Sequence, residues 1–196
     1  MLIVGTDPLE VDQLLIGGEL RCPGCAGELR PWGHGRERGV RDETAVVVLR
    51  PCRSACSQCR CTHVLLPACT LLRRADTVVV VGRALLAKAA GAGHRSIAAV
   101  LDRPVSTVRG WLRRFGARAE SLRVLFTALL HALDACAGAV PVTGSGFTDA
   151  LQALGLAAAA AARLFGPRPA WQFASAASGG LLLGLAVMPM PVANTS

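Results

Sequence analysis

Cys22-Pro23-Gly24-Cys25 and Cys56-Ser57-Gln58-Cys59 form two C-x-x-C pairs with thirty residues between them. A two-residue gap lets one tight turn offer two thiolates to a single point. Two such turns supply the four soft ligands that a tetrahedral zinc ion takes. Cys22, Cys25, Cys56 and Cys59 are therefore the expected ligands of one structural zinc ion. Four thiolates leave no open coordination position, and no general base stands nearby, so this is not the chemistry of a catalytic zinc. A redox dithiol and chance spacing are the competing readings. Cys52, Cys61 and His63 crowd the second pair. They are either replacement ligands or, the reading preferred, free thiols and a histidine hydrogen-bonded near the strand that follows. Cys69 and Cys136 have no partner at ligand spacing and are expected to be small core residues.

The second chemistry in the chain is positive charge. Of the 21 basic side chains only Lys88 is a lysine, and the net charge is +8. Residues 1–20 carry four acids and no base, residues 21–120 carry 18 bases and 7 acids, and residues 121–196 carry 3 bases and 2 acids. The charge thus lies on the middle hundred residues, where a polyanion such as nucleic acid would be met. An arginine-rich surface from a GC-biased genome would give the same count.

Within that stretch, residues 97–114 place apolar side chains at Ile97, Ala98, Leu101, Val105, Val108 and Leu112. This is helical spacing on both sides of a short break, the pattern of a helix-turn-helix over residues 94–116. Leu101 and Val108 are expected to meet beneath the turn, with Val105 plugging the corner. Asp102 stands where positive φ is needed, which Asp tolerates. Either Ser106 caps the second helix or Pro104 begins it a turn earlier. With Val108, Leu112 and Phe115 turned inward and Trp111 assigned to the core, Ser106, Thr107, Arg109, Gly110, Arg113 and Arg114 face out. A small polar first turn followed by arginines is what a helix entering the major groove requires, with Arg109 near the base edges. His94 and Arg95 at the start of the preceding helix suit phosphate, as does Arg114.

These residues need elements to hold them. The fold class expected is mainly α with a small N-terminal β zinc ribbon, a helix-turn-helix trihelical core and an α-helical C-terminal tail. Its divisions fall at 1–70, 71–119 and 120–196. Thr44–Leu49 and Thr62–Leu66 read as β-rich runs, and the first suits the long hairpin of a ribbon. Thr77–Val81 is β-branched but leads without a breaker into Gly82–Ala90, so the whole is read as one helix. Gly138–Gly146 and Gly166-Pro167 break the tail. Leu125, Leu129 and Ala132-Leu133 on one tail helix, and Leu151, Leu154 and Ala158 on the next, either complete a core, the reading preferred, or form a homodimer seam.

With Cys-Pro-Gly-Cys at 22–25, Pro31–Gly33, Thr62–Pro67, Gly93–Ala98 and the Thr107–Phe115 helix, the chain resembles a family of short actinobacterial proteins. It is also similar to the zinc-ribbon plus helix-turn-helix front ends of insertion-sequence transposases. The resemblance covers residues 1 to about 120 and implies sequence-specific or transposon-end DNA binding, with zinc on the four cysteines. Arg60 departs from the pattern, since many ribbons carry glycine there.

Strand transfer requires three carboxylates converging on two metal ions. After the helix-turn-helix only Glu120, Asp134 and Asp149 remain, on helices, so an enzyme is not expected. Gly144-Ser145-Gly146 lacks the strand of a nucleophile elbow, and no phosphate loop appears. The most apolar stretch, 179–193, is broken by Pro189 and Pro191 and is shorter than the roughly twenty residues of a membrane span. The N-terminus carries acids where a secretory signal carries Lys or Arg. The expectation is a cytoplasmic, nucleoid-associated protein that holds double-stranded DNA and one zinc ion, either a transcriptional regulator or the DNA-recognition component of a mobile element. Its rival is a protein-interaction adaptor that the ribbon merely stiffens.

Overall fold

A computed structural model describes residues 1–184. The 179–193 stretch lies mostly outside the described residues, as does the end of the 120–196 region. The described residues divide into two compact units: Met1–Gly82 with Trp171–Gly180, and Arg83–Ala170 with the chain from Leu181. The boundary falls inside one helix.

In the first unit, β1 (Leu2–Val4), β2 (Leu29–His34), β5 (Cys52–Cys56) and β6 (Thr62–Pro67) form a sheet in the order β1-β6-β5-β2. β5 runs antiparallel to both neighbours, and β1 lies parallel to β6. The acidic lead is thus part of the fold. Asp7 accepts a 2.9 Å hydrogen bond from the Leu9 N–H and caps α1 (Pro8–Ile16), with Pro8 in the first turn. Val11 and Leu15 of α1 pack with Cys22, Leu29, Cys56 and Leu65 into one small core. The insert between the cysteine pairs is the expected hairpin in compound form. β2 and β5 are its legs, and β3 (Arg38–Arg41) and β4 (Val46–Leu49) form a second hairpin at its end. The Arg41 guanidinium meets buried Asp76 at 2.8 Å, and Thr77 donates to Asp42 at 2.8 Å. The Thr77 hydroxyl also accepts from the Val80 N–H, so a hydroxyl opens α2 (Val78–Ala89) despite its β-branched start. α7 (Ala170–Ala177) contributes a buried Ser175, whose hydroxyl donates to the Thr70 carbonyl.

In the second unit, α3 (His94–Leu101) and α4 (Val105–Gly116) pack against each other, and α5 (Ala119–Leu133) packs along α6 (Gly146–Phe165). Leu122, Phe126 and Leu130 of α5 are buried, as are Ala150, Ala153, Leu154, Ala157 and Ala161 of α6. Small alanines let the two axes approach closely, and large α5 side chains fill the space between. Leu151, Leu154 and Ala158 lie inside as expected. The α5 face is corrected: Leu125, Leu129 and Leu133 are half-buried and Ala132 is exposed. Leucines ring this helix, and α6 selects the 122-126-130 row. These faces cover each other, which is the core reading. Cys136, expected in the core, is exposed just after α5.

Mainly helical, with a small β region that carries the clustered cysteines, the chain has the expected fold class. No single helix among the described residues is long and apolar enough to cross a membrane.

Candidate metal centre and nucleic-acid interface

The four cysteine sulfurs lie within 4.8 Å of one another. Cys22 and Cys59 Sγ are 3.7 Å apart, and Cys25 and Cys56 Sγ 3.4 Å. Zinc–sulfur bonds of about 2.3 Å at tetrahedral angles put sulfurs about 3.8 Å apart, so the donor set fits the ion in both chemistry and spacing. The site is built from two copies of one turn. In the first, the Ala26 N–H donates to the Cys22 carbonyl and the Cys22 N–H to the Gly27 carbonyl, both at 2.8 Å. In the second, Arg60 donates to the Cys56 carbonyl at 3.2 Å, and Cys56 to the Cys61 carbonyl at 2.9 Å. Ala26 (φ 57°) and Arg60 (φ 61°) both adopt the left-handed conformation. Arg60 therefore keeps the turn that glycine would make, at a conformational cost of about 1 kcal/mol. Gly27 is where the turns meet: a Cβ there would lie 2.9 Å from Cys56 Sγ.

Backbone N–H groups aimed at the sulfurs favour thiolates. Those of Gly24 and Cys25 hold Cys22 below the ordinary thiol value, against the opposing effect of burial. That of Cys59, joined by Gln58, takes Cys56 down to about 6. Cys59 goes the other way. The Cys61 N–H favours its thiolate, but hydrogen bonds to the Cys25 and Cys56 sulfurs keep its proton on. Thiolate is thus favoured at Cys22 and Cys56 and a proton at Cys59, an arrangement that a divalent cation would replace. Of the neighbouring residues, Cys52 contacts Asp12 at 3.5 Å and has its thiol pushed up by burial, and Cys61 is exposed. His63 lies beside Cys22 rather than within the four-sulfur set, with Nε2 at 3.5 Å from Cys22 Sγ. Burial holds its imidazole below the usual histidine value.

The helical pair matches the expected break. Asp102 ends α3 at φ 50°, ψ 54°, and Pro104 stands at the N-cap of α4. Ile97, Ala98, Val108, Trp111 and Phe115 are buried, and Phe115 meets Phe147 edge-on at 4.8 Å. Of the two starts open to α4, the one at Pro104 is found: the helix begins at Val105 behind Pro104, and Ser106 makes no cap bond. Three details differ. Val105 is 44% exposed and plugs nothing, since the first turn of α4 projects it outward. Leu101 and Leu112 are only half-buried.

Ser106, Arg109 and Arg113 are exposed on α4, with Thr107, Gly110 and Arg114 half-exposed beside them. On α3, Arg95 is exposed and His94 half-exposed. A Cβ on Gly110 would fall 2.8 Å from Arg114 Nη1, so the Arg114 guanidinium lies back over this glycine. Lys88, Gly93, His94, Arg109, Leu112, Arg113 and Phe147 line a cleft of about 330 Å³. Lys88 is the cation that pattern reading missed. It precedes the motif, and only the fold brings it to His94.

The arginines of this unit sort into two groups. Arg123 grips Glu120 through two bonds of 2.9 and 2.7 Å, Arg163 pairs with Asp134 at 2.9 Å, and Arg103 donates to the Leu101 and Asp102 carbonyls. Arg95, Arg109, Arg113 and Arg114 have no acidic partner among the described residues. Cations left without internal partners on one helical pair are suited to an external anion. The three late carboxylates do not converge: Glu120 and Asp134 are taken by arginines, and Asp149 accepts from the Thr143 hydroxyl at 2.6 Å and its N–H at 2.8 Å.

Neither curated proteins nor solved structures gave a match to this chain. Over residues 76–123, which span α2 to the first turn of α5, the chain is similar to the homeodomain-like domain, a DNA-binding helix-turn-helix family.

Proposed function

We propose that this chain is a zinc-containing DNA-binding protein, with α4 as the recognition helix and the cysteine cluster as a structural metal site. The observation that carries the reading is the coincidence of the homeodomain-like match with a helix, left-handed turn and helix whose Arg95, Arg109, Arg113 and Arg114 have no acidic partner among the described residues. Ser106, Thr107, Arg109, Gly110 and Arg113 meet the major groove, while His94, Arg95 and Arg114 meet phosphates. Lys88 joins the phosphate set, because the cleft it shares with His94, Arg109 and Arg113 concentrates positive charge in one concavity.

Zinc on Cys22, Cys25, Cys56 and Cys59 would contribute folding free energy to a unit whose core is small. The role in the cell is either that of a transcriptional regulator or of a DNA-recognition component of a mobile element without its own catalytic domain. Selecting duplexes from a random pool with the zinc-loaded protein tests the reading. Enrichment of a common sequence supports it. Retention of no duplex even at low salt overturns it in favour of a protein-interaction adaptor.

A further inference from the structure

Two buried polar atoms near the metal centre have no hydrogen-bond partner among the described residues: Ser54 Oγ and His63 Nδ1. They belong to residues directly paired in register between β5 and β6. Paired residues on antiparallel strands project side by side on one face, with Cβ atoms about 4.5–5.5 Å apart. The other ring nitrogen of the same histidine, Nε2, lies 3.5 Å from Cys22 Sγ. A serine hydroxyl, an imidazole and a cysteine sulfur therefore follow one another from the sheet to the metal cluster.

We propose that Ser54, His63 and Cys22 form a hydrogen-bond relay supporting the zinc site, with His63 a positioning residue that donates Nε2–H to the Cys22 thiolate. The inference rests on the zinc reading above. Its logic is one of tautomers. A proton on Nδ1 would aim the Nε2 lone pair at a thiolate, an unfavourable contact whichever role the Ser54 hydroxyl takes toward Nδ1. A proton on Nε2 gives the sulfur a donor and leaves Nδ1 as an acceptor, which the neighbouring Ser54 hydroxyl can satisfy by rotating about χ1. Ser54 is fully buried, and a hydroxyl placed there has no other evident use. Partners of this kind orient metal ligands and spread the charge of the thiolate.

The test uses the full-length zinc-loaded protein and a chromophoric chelator that competes for the metal. His63→Leu should lower zinc affinity about 10-fold or more. Ser54→Ala should lower it by a smaller factor, and should have no further effect in the His63→Leu background. Long-range ¹⁵N NMR of the parent should find the His63 proton on Nε2 and not on Nδ1, a readout that does not depend on the variants folding. A proton on Nδ1, unchanged zinc affinity in a folded His63→Leu protein, or additive effects of the two substitutions would overturn the relay and leave the zinc site standing. A parent that takes up no zinc would overturn the metal reading itself and the relay with it.

Discussion

At the scale of single residues, the cysteine cluster is governed by close approach and backbone conformation. Gly27→Ala would push a methyl group against Cys56 Sγ, and we expect zinc affinity to fall about tenfold while the helices keep their circular dichroism. Arg60→Gly does the reverse, relieving a left-handed arginine, and should stabilise the zinc-loaded protein by about half to 1 kcal/mol in a thermal melt. An Arg60→Gly protein less stable than the parent would show that the arginine side chain matters more than its φ angle. On the other surface, Arg109→Ala should cost about 1–3 kcal/mol on a selected duplex and flatten discrimination between bases. Equal losses on selected and scrambled duplexes would assign Arg109 to phosphate contact, with the other cations of the cleft. The clustering of the four cysteines was legible because C-x-x-C spacing is local. The setting of His63 was not, since its neighbours Cys22 and Ser54 are brought to it by strand register and not by distance along the chain.

At the scale of elements, the turn at Asp102 was readable from residue chemistry, whereas the depth of each apolar side chain was not. Val108 is fully buried and Leu101 half-exposed, so alanine in place of Val108 should cost about 2–4 kcal/mol and Leu101→Ala clearly less. Equal losses would mean that Leu101 is as buried as helical periodicity suggested. Periodicity picks a stripe, but the partner element decides which of two adjacent stripes is covered, as in α5, where the row of Leu122, Phe126 and Leu130 wins over Leu125 and Leu129. The start of α6 carries a pH-dependent device. The Thr143 hydroxyl, then its N–H, holds Asp149 below the ordinary carboxylate value. Its folded-state pKa therefore lies below its unfolded value near about 3.9, so the stabilisation is complete above that pH and is lost as the pH falls through the folded value. Thermal melts between neutral pH and pH 3 should show Asp149→Asn less stable than the parent at neutral pH, with the gap closing in acid. A gap that persists undiminished in acid would rule out the charged form as its source.

At the scale of the whole molecule, the cysteine-rich region was expected to end near residue 70. The first unit runs to Gly82 and takes in residues 171–180. No local signal announces that a segment a hundred residues downstream returns, which is why β1, α1 and α7 were not placed by composition or spacing. The second unit has a core of its own in Phe115, Leu122, Phe126 and Leu154. Chelating the metal should therefore strip hydrogen-exchange protection from 22–67 first and leave α5 and α6 protected. Uniform loss would show that the metal supports both units alike. The central claim, that α3 and α4 form a surface for DNA, is tested most directly by a salt titration of binding to a selected duplex, with the parent compared to an Arg95→Ala/Arg114→Ala variant. The parent should lose affinity steeply as salt is added. The variant should bind every duplex more weakly, with a slope of log affinity against log salt lower by about two units, one for each phosphate contact removed. Identical affinities and slopes for the two proteins would contradict the account.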